Sequence, residues 1–171
     1  MKFGIAVFPN KDVQDFANSY RKRFDSRYAL IQPHLTVRPP ESGDEARIEE
    51  AARALTAVCA ELRPFQAELN RFSSFYPVSN VIYLALKDPE PFVELHRRIC
   101  SGPLAGPRTD YAYTPHLTIG QDLTDEELHD VLSSLRMKPV SLKFRVDRVH
   151  LLYQTENGAW TTYQTFLFGN G

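Results

Sequence analysis

Several features that would betray a partner or a cofactor are scarce in this sequence. A formal net charge of −1 over 171 residues leaves no broad attraction to nucleic acid or to a membrane surface. No apolar run approaches the length of a membrane span, so no membrane association is expected. The opening MKFGIAVFPN lacks a small-residue cleavage pattern, which argues against a signal peptide. Only two cysteines occur, Cys59 and Cys100, both in helix-like segments and without metal-type spacing. They are expected to be reduced packing residues of a cytoplasmic protein. Low-complexity tracts and linkers are also missing. What remains, 43% hydrophobic and 24% charged, is an ordinary globular composition, long enough for one core or for two small lobes sharing one. The basic cluster Arg21, Lys22, Arg23 and Arg27 is expected to face water on a polar helix surface, with phosphate contact the alternative.

Strand and helix patterns alternate along the chain. FGIAVFP at residues 3–9 reads as a buried strand stopped by proline, and residues 10–25 as a helix with Asn10 as N-cap. HLTV is a short strand ended by Pro39 and Pro40. Apolar Ala51, Leu55, Val58, Cys59 and Leu62 recur at helical spacing between Asp44 and Leu62. Two strands, 65–75 and 81–86, follow around the turn-like YPVSN. The order then returns: a helix near 89–100, the strand HLTIG, a helix near 124–135 opened by the capping box Thr124/Glu127, and strands over 140–153 and 159–168 joined at TENG.

The repetition extends to short phrases. PHLTV at 33–37 returns as PHLTI at 115–119, 82 positions later, and LNRF at 69–72 matches VDRV at 146–149, which also sets Tyr76 against Tyr153. A period this long is no solenoid unit. It indicates an internal duplication, with repeats of roughly 1–79 and 80–171 in one two-lobed domain spanning 1–171.

The repeated phrase carries chemistry. On a strand alternate side chains share a face, so His34 and Thr36 point one way while Leu35 and Val37 point the other. His116 and Thr118 stand likewise against Leu117 and Ile119. Two such strands across a cleft would supply two imidazoles, which titrate near neutrality, and two hydroxyls. That set suits phosphoryl chemistry without a metal: one imidazole takes a proton from the nucleophile, the other gives one to the leaving oxygen, and the hydroxyls bind non-bridging oxygens. A cyclic phosphate is an apt substrate.

Other readings compete. Proline starting a strand and leucine filling the core explain part of the phrase, but they do not require histidine on the polar face. Metal binding by His34 and His116 finds no Asp, Glu or second His close by in either copy. A non-catalytic nucleotide or RNA-end binding module would use the same pocket without turnover, and a plain structural protein would use it for nothing. Of the other histidines, His96 and His129 read as solvated helix residues and His150 as a satisfied strand residue that borders the cleft at most. Tyr76 and Tyr153 read as packing residues, with base stacking the alternative, and Arg38, on the face of Thr36, is a candidate phosphate contact.

HLTV and HLTI match the His-x-Thr-x motif of the 2H phosphoesterase superfamily. With NVIY, VDRVHLLYQ and WTTYQTFLFG, the chain resembles the small bacterial YjcG-type phosphoesterases over nearly its whole length. The resemblance implies an α+β fold of two pseudo-symmetric lobes, each an antiparallel sheet with helices outside, around a central cleft. It also implies metal-independent action, with no cofactor, on a cyclic phosphate or a 2'-5' phosphodiester of a nucleotide or RNA end. By motif position His34 resembles the proton donor and His116 the proton acceptor, labels that exchange if the substrate lies the other way, while Thr36 and Thr118 hold the phosphate. The expected partner is a small nucleotide or RNA-end substrate of a monomer, with no stable nucleic-acid complex, since no RNA-binding module or basic surface is evident.

Overall fold

The structure is a computed structural model that describes residues 1–107 and 112–169. Its elements run β1 (Lys2–Val7), α1 (Lys11–Phe24), β2 (Leu35–Ser42), α2 (Glu45–Cys59), β3 (Phe65–Ser74), β4 (Ile82–Leu86), α3 (Glu90–Ile99), a 3-10 turn (Gly102–Leu104), β5 (His116–Gly120), α4 (Asp125–Leu135), β6 (Leu142–Val146), β7 (Arg148–Gln154) and β8 (Trp160–Leu167). Local chemistry sets the helix starts. The Asn10 side chain accepts from Val13 N (3.1 Å), Asp44 accepts from Arg47 N (2.9 Å), and Thr124 and Glu127 close the reciprocal capping box.

The strands form two four-stranded antiparallel sheets, ordered β2-β1-β7-β8 and β5-β4-β3-β6. The α+β class with two related sheets is therefore as the sequence led one to expect. The two strands that carry the repeated phrase are the equivalent edge strands, β2 in the first sheet and β5 in the second. LNRF falls on β3, whereas VDRV straddles the end of β6 and the start of β7; β3 and β7 hold equivalent inner positions in their sheets.

The sequence repeats do not coincide with the sheets. β3, from the first repeat, pairs with β4 and β6 of the second, and β7 returns to pair with β1. The first helices cross over too: α1 packs against β5 and β6, and α3 against β2. Residues 140–153 accordingly form two strands rather than one. Val146 pairs with Phe65 in one sheet and Arg148 with Leu167 in the other, so the chain changes sheet at Asp147. One hydrophobic cluster joins both halves, including Val13 and Ala17 of α1, Leu35 and Val37 of β2, and Leu117 and Ile119 of β5.

Two outcomes are expected. A fragment of residues 1–79 leaves β3 without strand partners and will show no cooperative urea transition; a folded, cooperatively unfolding fragment would contradict the exchanged topology. Leu117, fully buried, is expected to cost about 2–5 kcal/mol when cut to alanine, read from the shift in urea midpoint.

Candidate functional site

Both histidines are held by the same local device. His34 Nδ1 lies 2.8 Å from the carbonyl of Gln32, and His116 Nδ1 lies 2.8 Å from the carbonyl of Thr114. In each case a buried proline, Pro33 or Pro115, stands between the ring and the carbonyl it meets, and its fixed φ limits how the segment can turn. A carbonyl only accepts, so Nδ1 must carry the hydrogen. The neutral ring then leaves Nε2 with a free lone pair.

Strand alternation does the rest. Leu35, Val37, Leu117 and Ile119 are fully buried, while His34, Thr36, His116 and Thr118 keep partial exposure on the opposite faces. A cavity where the two sheets meet is lined by His34, Thr36 and Thr118, with Arg21, Asp25 and Gln121 in its wall. His116 stands two residues before Thr118 on the same face of β5; it is not among the residues lining this cavity but is near enough for its charge to act on His34.

Burial around the rings decides their charge. His34 is pushed down to about 4, first by loss of water and further by the positive charges of Arg21 and His116, against the opposing pull of the Gln32 carbonyl and of Asp25. His116 is also lowered, by burial, against its bond to Thr114. Both rings are therefore predominantly neutral at pH 7. An anion seated between them would favour the imidazolium form and raise both values.

Two side chains depart from the sequence reading, and others join the site that the sequence did not single out. Arg21 is 2% exposed and does not face water. It donates from Nε to Asp25 (3.1 Å), from Nη1 to Asn18 (2.7 Å) and from Nη2 to the Ile31 carbonyl (2.6 Å). The clue lies in the spacing, since Arg21 continues the buried i, i+4 series Val13 and Ala17. Asp25 in turn accepts from Gln121 Nε2 (2.8 Å), and Gln121 N donates to the Phe24 carbonyl (3.0 Å), which ties the end of α1 to the end of β5. His96 is not solvated: its Nδ1 meets the Val37 carbonyl at 2.7 Å and its ring stacks on Tyr113 at 4.0 Å. Tyr113 donates to the Thr36 carbonyl (2.8 Å), bracing β2 from outside. Trp160 lines the cavity wall without any motif to announce it.

The remaining candidates are mostly occupied elsewhere. Arg38 reaches the cavity wall, but its Nε donates to the Leu104 carbonyl (2.9 Å) and its Nη1 pairs with Glu41 (2.7 Å). His150 bonds Thr165 Oγ1 (2.9 Å) and packs on Phe8, whose ring also flanks His34. Tyr76 packs on His129 and Tyr153 on Tyr163, and neither lines the cavity. Cys59 and Cys100 are free thiols, raised by burial to about 12 and about 11, and so are poor nucleophiles.

The paired edge strands each present an imidazole and a hydroxyl on one face, and the cavity between the sheets is lined by residues of both strands. The sequence model of the 2'-5' RNA ligase superfamily matches residues 9–158, and the chain belongs to that family. A relative from Geobacillus sp. (strain WCH70), named "Putative phosphoesterase", is 52% identical over 169 residues, covering 99% of this chain and 97% of the relative. Among solved structures, a protein of Thermus thermophilus superposes with a TM-score of 0.73 at 17% identity, covering 99% of both chains. E. coli LigT, crystallised with 3'-AMP, superposes with a TM-score of 0.68 at 14% identity, covering 98% of this chain and 97% of its own. These structural likenesses establish a shared fold.

Nitrogen-detected NMR of the ligand-free protein is expected to show both rings as neutral Nδ1–H tautomers at pH 7, with His34 titrating near 4. Because the native His34 ring holds fewer protons than the unfolded one between the unfolded value near 6.5 and about 4, stability will fall as pH drops through that window, by up to about 1.4 kcal/mol per pH unit; His116, also lowered, adds in the same direction. An Nε2–H tautomer, or titration of His34 at or above 6.5, would overturn this account of the site.

Proposed function

We propose that the protein is a metal-independent phosphoesterase that opens a cyclic phosphate or a 2'-5' phosphodiester of a nucleotide or RNA end. The observation that carries this reading is the pair of identical Nδ1-to-carbonyl bonds, which leave each Nε2 available for proton transfer beside a threonine hydroxyl. In hydrolysis of a 2',3'-cyclic phosphate, His116 Nε2 takes a proton from water as the water oxygen bonds to phosphorus. The bond from phosphorus to one ribose oxygen breaks, and His34 delivers its Nε2 proton to that oxygen. Thr36 and Thr118 donate to the non-bridging oxygens. If the substrate lies the other way, the two histidines exchange roles.

The substrate itself prepares the acid. A phosphate anion in the cleft offsets the desolvation and the Arg21 charge that hold His34 neutral, and the Gln32 carbonyl already favours the doubly protonated ring. The crystallisation of E. coli LigT with 3'-AMP supports a nucleotide carrying a phosphate as the ligand class. A second reading, a binding module for nucleotide or RNA ends, is favoured by one observation: a free-state His34 titrating near 4 is a weak match for general acid work at neutral pH unless the anion raises it.

Turnover separates the two. EDTA-treated protein is expected to convert 2',3'-cyclic nucleotides or a short RNA bearing that terminus, and His34→Ala and His116→Ala should each lower kcat by about 10²- to 10⁴-fold. Since both free-state values lie below the ordinary 6.5, kcat/KM should peak on the acid side of 6.5, and kcat, which reports the anion-bound state, at higher pH. Tight binding of 3'-phosphorylated nucleotide without any turnover would sink the enzymatic reading in favour of the binding module.

A further inference from the structure

The catalytic cavity does not end at its own wall. Arg21, Ile31 and Trp160 line it, and the same three residues line a second, more open groove whose outer side is formed by Tyr28, Asn18 and Thr161. The two spaces are therefore neighbours across one shared partition. Trp160 is the sole tryptophan of the chain. It is held in place by its backbone N–H, which donates to the Leu30 carbonyl at 2.8 Å, so the start of β8 is tied to the segment that precedes β2. Tyr28 is 42% exposed, and the Arg21 guanidinium lies 5.6 Å from its ring centroid.

We infer that this groove is a second nucleotide subsite, making the preferred substrate an oligonucleotide end of at least two nucleotides rather than a lone cyclic mononucleotide. The inference rests on the reading of the catalytic cavity as a phosphoesterase site. With the terminal phosphate between the two histidines, the 3'-terminal nucleoside lies toward Trp160, and the preceding nucleotide passes over the partition into the groove. There a base finds the face of Tyr28 or Trp160, and stacking on such faces is indifferent to base identity. The connecting phosphodiester crosses the partition where Arg21 stands. Arg21, buried and ion-paired to Asp25, fixes the partition that the phosphodiester crosses, with its guanidinium 5.6 Å from the Tyr28 ring centroid. Thr161 and Asn18 supply polar edges suited to ribose hydroxyls. Affinity is drawn from two aromatic faces instead of a broad basic surface, in keeping with a net charge of −1.

The lone tryptophan gives a direct readout. Titration with a dinucleotide ending in 3'-phosphate is expected to quench Trp160 fluorescence, whereas inorganic phosphate alone leaves it unchanged. In turnover, kcat/KM for a dinucleotide ending in 2',3'-cyclic phosphate should exceed that for the cyclic mononucleotide by about tenfold or more, the scale of one base–aromatic stack. Tyr28→Ala should bring that ratio toward one, and Tyr28→Phe, which keeps the face, should preserve it, so that a mere folding defect is distinguished. Equal kcat/KM values together with an unresponsive tryptophan would overturn the second subsite and leave the phosphoesterase reading standing. Quenching by the dinucleotide that exceeds quenching by a 3'-mononucleotide and is lost in Tyr28→Ala, without turnover of any cyclic ester, would uphold the groove while overturning the hydrolytic reading; quenching no greater than the mononucleotide's would overturn the groove.

Discussion

Leu35 and Val37 on one edge strand, and Leu117 and Ile119 on the other, are removed from water, and the cleft is a consequence of that burial. A strand whose alternate residues are locked in a core has no freedom to rotate: a slip of one residue would bring His34 or His116 into the hydrocarbon and expose a leucine. The apolar residues thus hold the catalytic candidates in place without touching them. The carbonyl bonds across Pro33 and Pro115 then add the one degree of order that burial does not supply, the orientation of each ring.

The same packing makes the site electrostatically tense. Water is partly excluded from both imidazoles, and Arg21, itself buried against Asp25, adds positive potential on one side. The cleft holds its histidines neutral and offers threonine hydroxyls as donors beside them. An anion relieves the tension, which is the behaviour expected of a site complementary to phosphate rather than to a neutral ligand. The Arg21–Asp25–Gln121 connection has a structural role as well, because it joins the end of α1 to the end of β5 across the two halves of the chain.

Much of this is legible in the sequence, for identifiable reasons. Helix starts at Asn10, Asp44 and Thr124 are written in side chains that cap locally, and the polar face of HLTV and HLTI follows from strand periodicity alone. The break at Asp147 is not legible, since β6 and β7 are adjacent in sequence and both strand-like, and only their partners tell them apart. Arg21 misleads because its charge outweighs, on paper, the helical face on which it falls. His96 misleads because its partners, Val37 and Tyr113, are far along the chain.

The sequence by itself determined the local periods, the caps, the repeated phrases and the pairing of histidine with threonine on each of two strands, all of which, the repetition apart, depend on residues within a few positions of one another. Only the tertiary structure decided that the repeats exchange β3 and β7 and their first helices, that Arg21 and Trp160 stand at the cleft, and that both histidines lose their charge there. The reason is that these properties arise from desolvation and from contacts between distant segments. Neither quantity exists until the two halves have closed over one core.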